Sequence, residues 1–423
     1  FLFRPFPTGL SVLLGLLVLV IFGTVNLGAV LEGYADTVVW LVVSAFFIAS
    51  GVINTGLGKR IALNLVMKFG NSMPGLGYAI CATELILGPV IPSNTARGGG
   101  VVAPIMRSIS TAMGSYPSDS PKKAGEYLTL VGAHANLIAA AMFMTGMAAN
   151  PLISEYAGKI METEFSWTDW ALGAIVPGIV SMAFLPKLLS KISPPKLKDT
   201  TAARFEAKKE LDNMGRMSIN EKLTLTVFIL LILFWALSFL HGLSTTVVAL
   251  CGVIAMLLTS VLKWEDIISN KGAWDTFIWL GGLLTITSLL KDHGFIEWAK
   301  ENLEASLSGW EGMTILLILG LIYFYSMYFF SMLTAHITAL VPAFFGFCIA
   351  GEVPVMAAII LIAVFSNLCG CTTNYSTGPL IIYFGIGYIE PKKWFLIGFL
   401  VSIFHLFIWF TVGLGWWKVL GWW

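Results

Sequence analysis

Apolar residues run along this chain in blocks of about 20, each long enough to span a bilayer as a helix. They fall at roughly 9–30, 36–54, 73–111, 127–150, 168–190, 222–241, 243–262, 273–290, 312–350, 353–376 and 393–416. The third and ninth are longer than one crossing and are broken by polar residues. A membrane β-barrel would alternate apolar and polar at every second position, and these blocks do not. The pattern predicts an all-α polytopic membrane protein.

One stretch differs. Lys187, Lys191, Lys196, Lys198, Arg204, Lys208, Lys209, Arg216 and Lys222 gather around Pro194 and Pro195. This basic connector, 191–221, is expected to be cytoplasmic by the positive-inside rule. Two shorter amphipathic stretches, 58–70 and 294–307, are expected to lie on the membrane surface. The C-terminal Trp416, Trp417, Trp422 and Trp423 read as an interfacial belt.

The blocks also repeat. Asp36-Thr37-x-x-Trp40 returns as Asp275-Thr276-x-x-Trp279, and the same offset carries Arg97 onto His336. The second copy is preceded by the block 222–241, which has no counterpart before residue 9, so a helix is expected upstream of this sequence. With it, each copy has five crossings and one broken hairpin. An odd number inverts one copy relative to the other. The expected division is a first repeat over 1–190, the linker 191–221 and a second repeat over 222–423. Blocks 9–30, 222–241 and 243–262 are expected to form a scaffold. Inverted repeats with interrupted helices mark secondary transporters, whose site lies at the repeat interface near the midplane.

Composition narrows the chemistry. Apolar residues make up 57% of the chain and charged ones 12%, which excludes a soluble enzyme, and a net charge of +1 offers no basic face for nucleic acid. The five cysteines show no ligand spacing and read as reduced, packed thiols; no metal or cofactor is expected. Paired acids or a His/Asp set for catalysis within the membrane segments are also missing, so the sequence reads as a carrier and not an enzyme.

The polar breaks carry what chemistry there is. In 73–111, Gly88-Pro89 and Pro92-Ser93-Asn94-Thr95-Ala96-Arg97-Gly98-Gly99-Gly100 unwind a helix inside an apolar run. Unwound backbone at that depth must be buried in protein or line a wet cavity. Ser93, Asn94 and Thr95 supply hydroxyls, an amide and backbone N–H groups, the groups that hold a carboxylate without a metal. Arg97 must face a cavity or a partner; a carboxylate substrate is the expected one, and an ion pair with Glu84 the alternative. The second copy has Ser331, Thr334 and His336 at the equivalent place. Each copy then has a second break, with Thr145 and Asn150 in the first and Thr372, Thr373 and Asn374 in the second. All twelve residues are expected to bind substrate at one central site.

Pro92-Ser93-Asn94-Thr95-Ala96-Arg97, Thr334-Ala335-His336-x-x-Ala339-Leu340 and Thr372-Thr373-Asn374-Tyr375-x-x-Gly378 resemble the divalent anion:sodium symporter family, closest to its exchanger branch. The resemblance implies re-entrant hairpins, a dimerising scaffold, and a transport domain that moves as an elevator. It also implies dicarboxylate substrates such as malate, succinate or 2-oxoglutarate. The second tip departs from the family pattern, with Ser331-Met332-Leu333 in place of Ser-Asn-Thr. The expectation is therefore an antiporter of C4 and C5 dicarboxylates in a bacterial plasma membrane, with Arg97 and His336 standing in for sodium. A sodium- or proton-coupled symporter is the alternative.

Overall fold

The computed structural model describes residues 6–23, 25–294 and 309–423. These are helical with no strand, and eight helices are long and apolar enough to cross a membrane. The expected surface stretch 294–307 lies almost wholly outside the described residues.

The helices follow the apolar blocks, and their ends follow local chemistry. The first block is split into α1 (Thr8–Ile21) and α2 (Leu27–Leu31), the latter capped by Asn26. Asp36 caps α3 (Thr37–Thr55), accepting the Val38 N–H at 2.9 Å. Gly56, at φ +79°, turns the chain into the amphipathic α4 (Leu57–Phe69); left-handed backbone of this kind suits glycine. Helix α5 (Met73–Leu87) stops just short of Pro89. Proline cannot donate to a helix and disfavours helical geometry before it. After the tip the chain re-forms as a widened π-helical stretch, Thr95–Val102, and continues as α6 (Ala103–Ala112). Then come α7 (Gly125–Met142), α8 (Asn150–Ile160) and α9 (Trp167–Ile192).

The connector holds a helix of its own, α10 (Thr201–Met214). The second half runs α11 (Ile219–Ala236), α12 (Ser238–His241), α13 (Thr245–Leu258), α14 (Trp264–Ile268) and α15 (Lys271–Asp292). It ends with α16 (Gly312–Ser326), α17 (Leu333–Ala350), α18 (Val355–Leu368), α19 (Gly378–Gly385), α20 (Pro391–Ile408) and α21 (Leu414–Val419).

The order hairpin, helix, break, short helix, long helix thus occurs twice: α5 to α9, then α16 to α20. The offset seen in the sequence has a structural counterpart. Arg97 pairs with Glu84 thirteen residues earlier, and His336 packs on Tyr323 thirteen residues earlier. The Asp-Thr-x-x-Trp match is looser, because Asp36 caps its helix whereas Asp275 lies inside α15.

Two bundles result, each drawn from both copies. Helices α1 and α3 pack with α11, α13 and α15; helices α5 to α9 pack with α16 to α20. The blocks expected as scaffold fall together in the first bundle, joined there by α3 and α15. The bundles meet where α8 packs on α3 and α15, and where α9 packs on α11. Helices α4 and α10 lie against each other and touch both bundles.

Two packing expectations need correction. Trp417 is fully buried and donates to Gly173 O at 2.8 Å, while Trp416 donates to Leu172 O at 2.7 Å. The pair closes the second bundle against α9 instead of forming a free belt. All five cysteines are free, but Cys251 is exposed, unlike the other four.

Candidate functional site

The site begins where helices are forced to stop inside the second bundle. The tip of the first hairpin, residues 88–94, presents Ser93 and Asn94. Asn94 Nδ2 donates to Thr377 Oγ1 at 3.0 Å, joining this tip to the second break. The second hairpin reaches the same break from its own side. Leu333 N–H, at the start of α17, donates to Ser376 O at 2.8 Å, and Tyr375 O–H donates to Tyr328 O at 3.2 Å. Gly378 must be glycine here: a Cβ would sit 2.3 Å from Thr95 Oγ1. Residues 374–378 are therefore the join between the two tips.

Three helical segments start at this join: at Thr95, at Leu333 and at Gly378. Helix starts carry unpaired N–H groups and partial positive charge. Among the described residues, the half-buried Thr95, Thr334 and Asn374 side chains find no hydrogen-bond partner. Ser331 Oγ is buried with no partner among them, and Ser93 Oγ accepts there only from Ala96 N–H, at 3.1 Å. These five side chains keep free hydrogen-bonding capacity beside three helix starts. That combination can hold an anion.

The other expected site residues are engaged inside the protein. Arg97 is fully buried. Its Nε lies 2.7 Å from Glu84 Oε2, and its Nη1 donates to Ile91 O at 2.8 Å and Gly146 O at 2.9 Å. Glu84 also accepts from Asn136 Nδ2 at 3.0 Å, and the same amide reaches Asn94 O at 3.1 Å. The expectation that Arg97 grips a substrate carboxylate is corrected: Glu84 neutralises it, and its donors hold the unwound tip and the first break in place. A buried pair is tolerated when its remaining donors and acceptors are satisfied, as here.

His336 is likewise enclosed. Its Nε2 lies 2.8 Å from Ser326 Oγ, with the Tyr323 and Phe330 rings 4.3 and 5.0 Å from its own. Thr145 donates to Pro89 O and accepts from Trp167 Nε1 at 3.0 Å. Asn150 donates to Ala140 O and Phe143 O and accepts from Asn367 Nδ2, all within 3.0 Å. Thr372 donates to Cys369 O, and Thr373 Oγ1 accepts Ser376 N–H. These four brace the breaks.

Sequence reading missed Thr377, Ser376, Asn136 and Asn367. The two asparagines carry a visible signal, being amides inside apolar blocks. Ser376 and Thr377 lie two and three residues beyond Asn374 in the same polar break.

Two cavities lie at opposite ends of α3. One, of about 390 Å³, is lined by Val52, Gly56, Lys59, Gly100 and Glu206 at the connector end. The other, of about 970 Å³, is lined by Thr37, Leu41, Glu155, Trp167 and Asp169.

A family model described as sodium:sulfate symporter transmembrane region matches residues 1–423. The chain belongs to this family. Its members are transporters, and the chain is an integral membrane carrier rather than an enzyme. It is 41% identical to a protein named putative malate transporter YflS of Bacillus subtilis, over all of this chain and 89% of that one. It is 38% identical to dicarboxylate transporter 1, chloroplastic, of Arabidopsis thaliana, over 99% of this chain and 76% of that one. The inner membrane protein YbhI of Escherichia coli is 36% identical, over 99% and 89%. Among solved structures, the YdaH transporter of Alcanivorax borkumensis aligns with a TM-score of 0.61 at 14% identity, over 95% of this chain and 89% of that one. MtrF of Neisseria gonorrhoeae aligns at 0.60 and 13% identity, over 94% and 83%. These two similarities are of fold.

Proposed function

We propose that this family member carries C4 and C5 dicarboxylates, such as malate, succinate and 2-oxoglutarate, bound at the join of the two hairpin tips. The observation that carries the reading is the group Ser93, Thr95, Ser331, Thr334 and Asn374, with free polar capacity beside three helix starts. A dicarboxylate needs two such anion-binding faces, and two opposed tips supply them. The names of the bacterial and chloroplastic relatives support the substrate class. The reading includes two inverted repeats, a first bundle that stays fixed and dimerises, and a second that carries the join across the membrane as an elevator. The relatives from Bacillus subtilis and Escherichia coli support a bacterial plasma membrane, with the basic connector cytoplasmic.

Exchange of one dicarboxylate for another is the transport mode of this proposal. A loaded site crosses, and an empty one crosses poorly. A second reading, cation-coupled symport, is favoured by one observation: Glu84 neutralises Arg97, so built-in charge does not balance a dianion. A co-bound cation would then do so.

Uptake of radiolabelled malate, succinate and 2-oxoglutarate into proteoliposomes separates the readings. Exchange predicts uptake only into preloaded vesicles, indifferent to sodium. Symport predicts uptake into empty vesicles under a sodium or proton gradient. Absence of uptake of any dicarboxylate under all these conditions would overturn the proposed substrate class.

A further inference from the structure

The connector between the two halves is anchored at both ends, and its anchors change partway. Just after α9 it joins the loop before α7: Lys196 N–H donates to Lys122 O at 2.9 Å, and Leu197 N–H to Lys123 O at 3.1 Å. These bonds tie it to the second bundle. Three residues later Thr200 Oγ1 donates to Gly70 O at 2.7 Å, at the turn where α4 passes into α5.

From there α10 lies along α4. Lys59 Nζ reaches Glu210 at 2.6 Å, and Ala203 and Ala207 are fully buried. Beyond its end, Arg60 donates to Gly215 O at 2.9 Å and meets Glu221 at 2.6 Å. Glu221 also accepts the Ser218 N–H that opens α11, at 2.8 Å. One arginine therefore clasps α4, the end of α10 and the start of α11.

Against α6 the same helix packs without an ion pair. The side-chain hydrogen bond between them, from Ser108 Oγ to Glu206, is 3.4 Å long. Cavities of about 390 and 560 Å³ adjoin that contact, and Pro104, Ser108 and Glu206 line both. They reach Gly100 and Gly99, within the Thr95–Val102 stretch that follows the first tip. So α10 covers the connector-side approach to the join.

We propose that α10 is a fixed lid: it stays with α4 and α11 while α6 slides beneath it, and residues 198–200 are the hinge between lid and moving bundle. Charge-assisted bonds hold its fixed side, whereas small-residue packing and one long hydrogen bond beside open space face its sliding side. The hinge sits next to the α4–α5 turn, bonded to it through Thr200. The two chain crossings between fixed and moving parts at this end therefore lie side by side. The inference rests on the elevator reading proposed above.

The test uses cysteine pairs in the full chain with Cys251→Ser, a short bifunctional thiol crosslinker, and dicarboxylate uptake into proteoliposomes. Ser108→Cys with Glu206→Cys joins α10 to α6. Lys59→Cys with Glu210→Cys joins α10 to α4. Thr168→Cys with Ser238→Cys joins the two bundles directly, at hydroxyls 3.4 Å apart, and tests the elevator reading alone. The lid predicts that crosslinking abolishes uptake for the first and third pairs and leaves it unchanged for the second. Blockage by the second pair, with or without the first, would overturn the lid, as would uptake that survives crosslinking of the first pair when the third blocks. Uptake that survives crosslinking of the third pair would overturn the elevator reading itself, and the lid with it.

Discussion

Arg97 shows what a single charged residue inside a membrane bundle can be for. It is buried with Glu84, and its other donors reach carbonyls of the tip and of the first break. Removing one partner leaves the other charge buried and unpaired, which costs about 3–5 kcal/mol. Arg97→Ala and Glu84→Ala should therefore each lower the thermal unfolding midpoint of the purified protein strongly, and the double variant should lose less than the two losses combined. A normal midpoint for either single variant would contradict the pairing. Gly378→Ala tests the join directly. Its Cβ would meet Thr95 Oγ1 at 2.3 Å, an overpacking worth about 1–3 kcal/mol. Uptake should fall, and uptake at the wild-type rate would contradict the close approach of the first tip to the second break. At this scale the sequence was half legible. A membrane-embedded arginine announces that it needs a partner, but thirteen residues of proline-broken chain hide whether Glu84 comes back to meet it. His336 misled in the same way, because its cage of Tyr323, Phe330 and Ser326 closes only once the hairpin folds.

Among the elements, the hairpins and breaks were readable because prolines, glycines and hydroxyl residues interrupt apolar runs at Pro89, Pro92, Gly146 and Gly370 to Gly378. Helix α10 was not. Its charges read as solvated connector, and the burial of Ala203 and Ala207 depends on α4 and α6 being near. The bond from Lys59 holds the Glu210 carboxyl below the ordinary carboxylate range. A depressed pKa means stabilisation present above the unfolded value and lost as pH falls through the folded one. The Lys59–Glu210 clasp is thus constant across about pH 6 to 8, well above the ordinary glutamate pKa of about 4.3. Uptake by Glu210→Gln, plotted against pH in that window, should run parallel to the wild-type profile. Divergence of the two curves would show that the clasp titrates during transport.

For the whole molecule, an all-helical membrane carrier with two copies of one element order could be read from the chain. The sorting of helices into bundles could be read only in part: blocks 9–30, 222–241 and 243–262 fall together as expected, but α3 and α15 join them. Helices α3 and α15 look like neighbours of the hairpins in sequence, yet they pack with α1, α11 and α13. The consequence is functional. All four polar breaks fall in one bundle: Asn94, Thr377, Ser376 and Leu333 join the two tips to the 370–378 break, and Arg97 and Thr145 tie the 145–150 break to the first tip, so that bundle can carry the site as a unit. The central claim is that a dicarboxylate sits at this join. The most direct measurement is the rate of thiol labelling at Asn374→Cys, with and without malate, in a transport-competent Cys251→Ser background; labelling of the exposed Cys251 in the protein without either substitution, measured in parallel, is the reference remote from the join. The account predicts that malate slows labelling at position 374 several-fold and leaves Cys251 labelling unchanged. Equal labelling rates at position 374 with and without saturating malate, in protein that still transports it, would contradict the account.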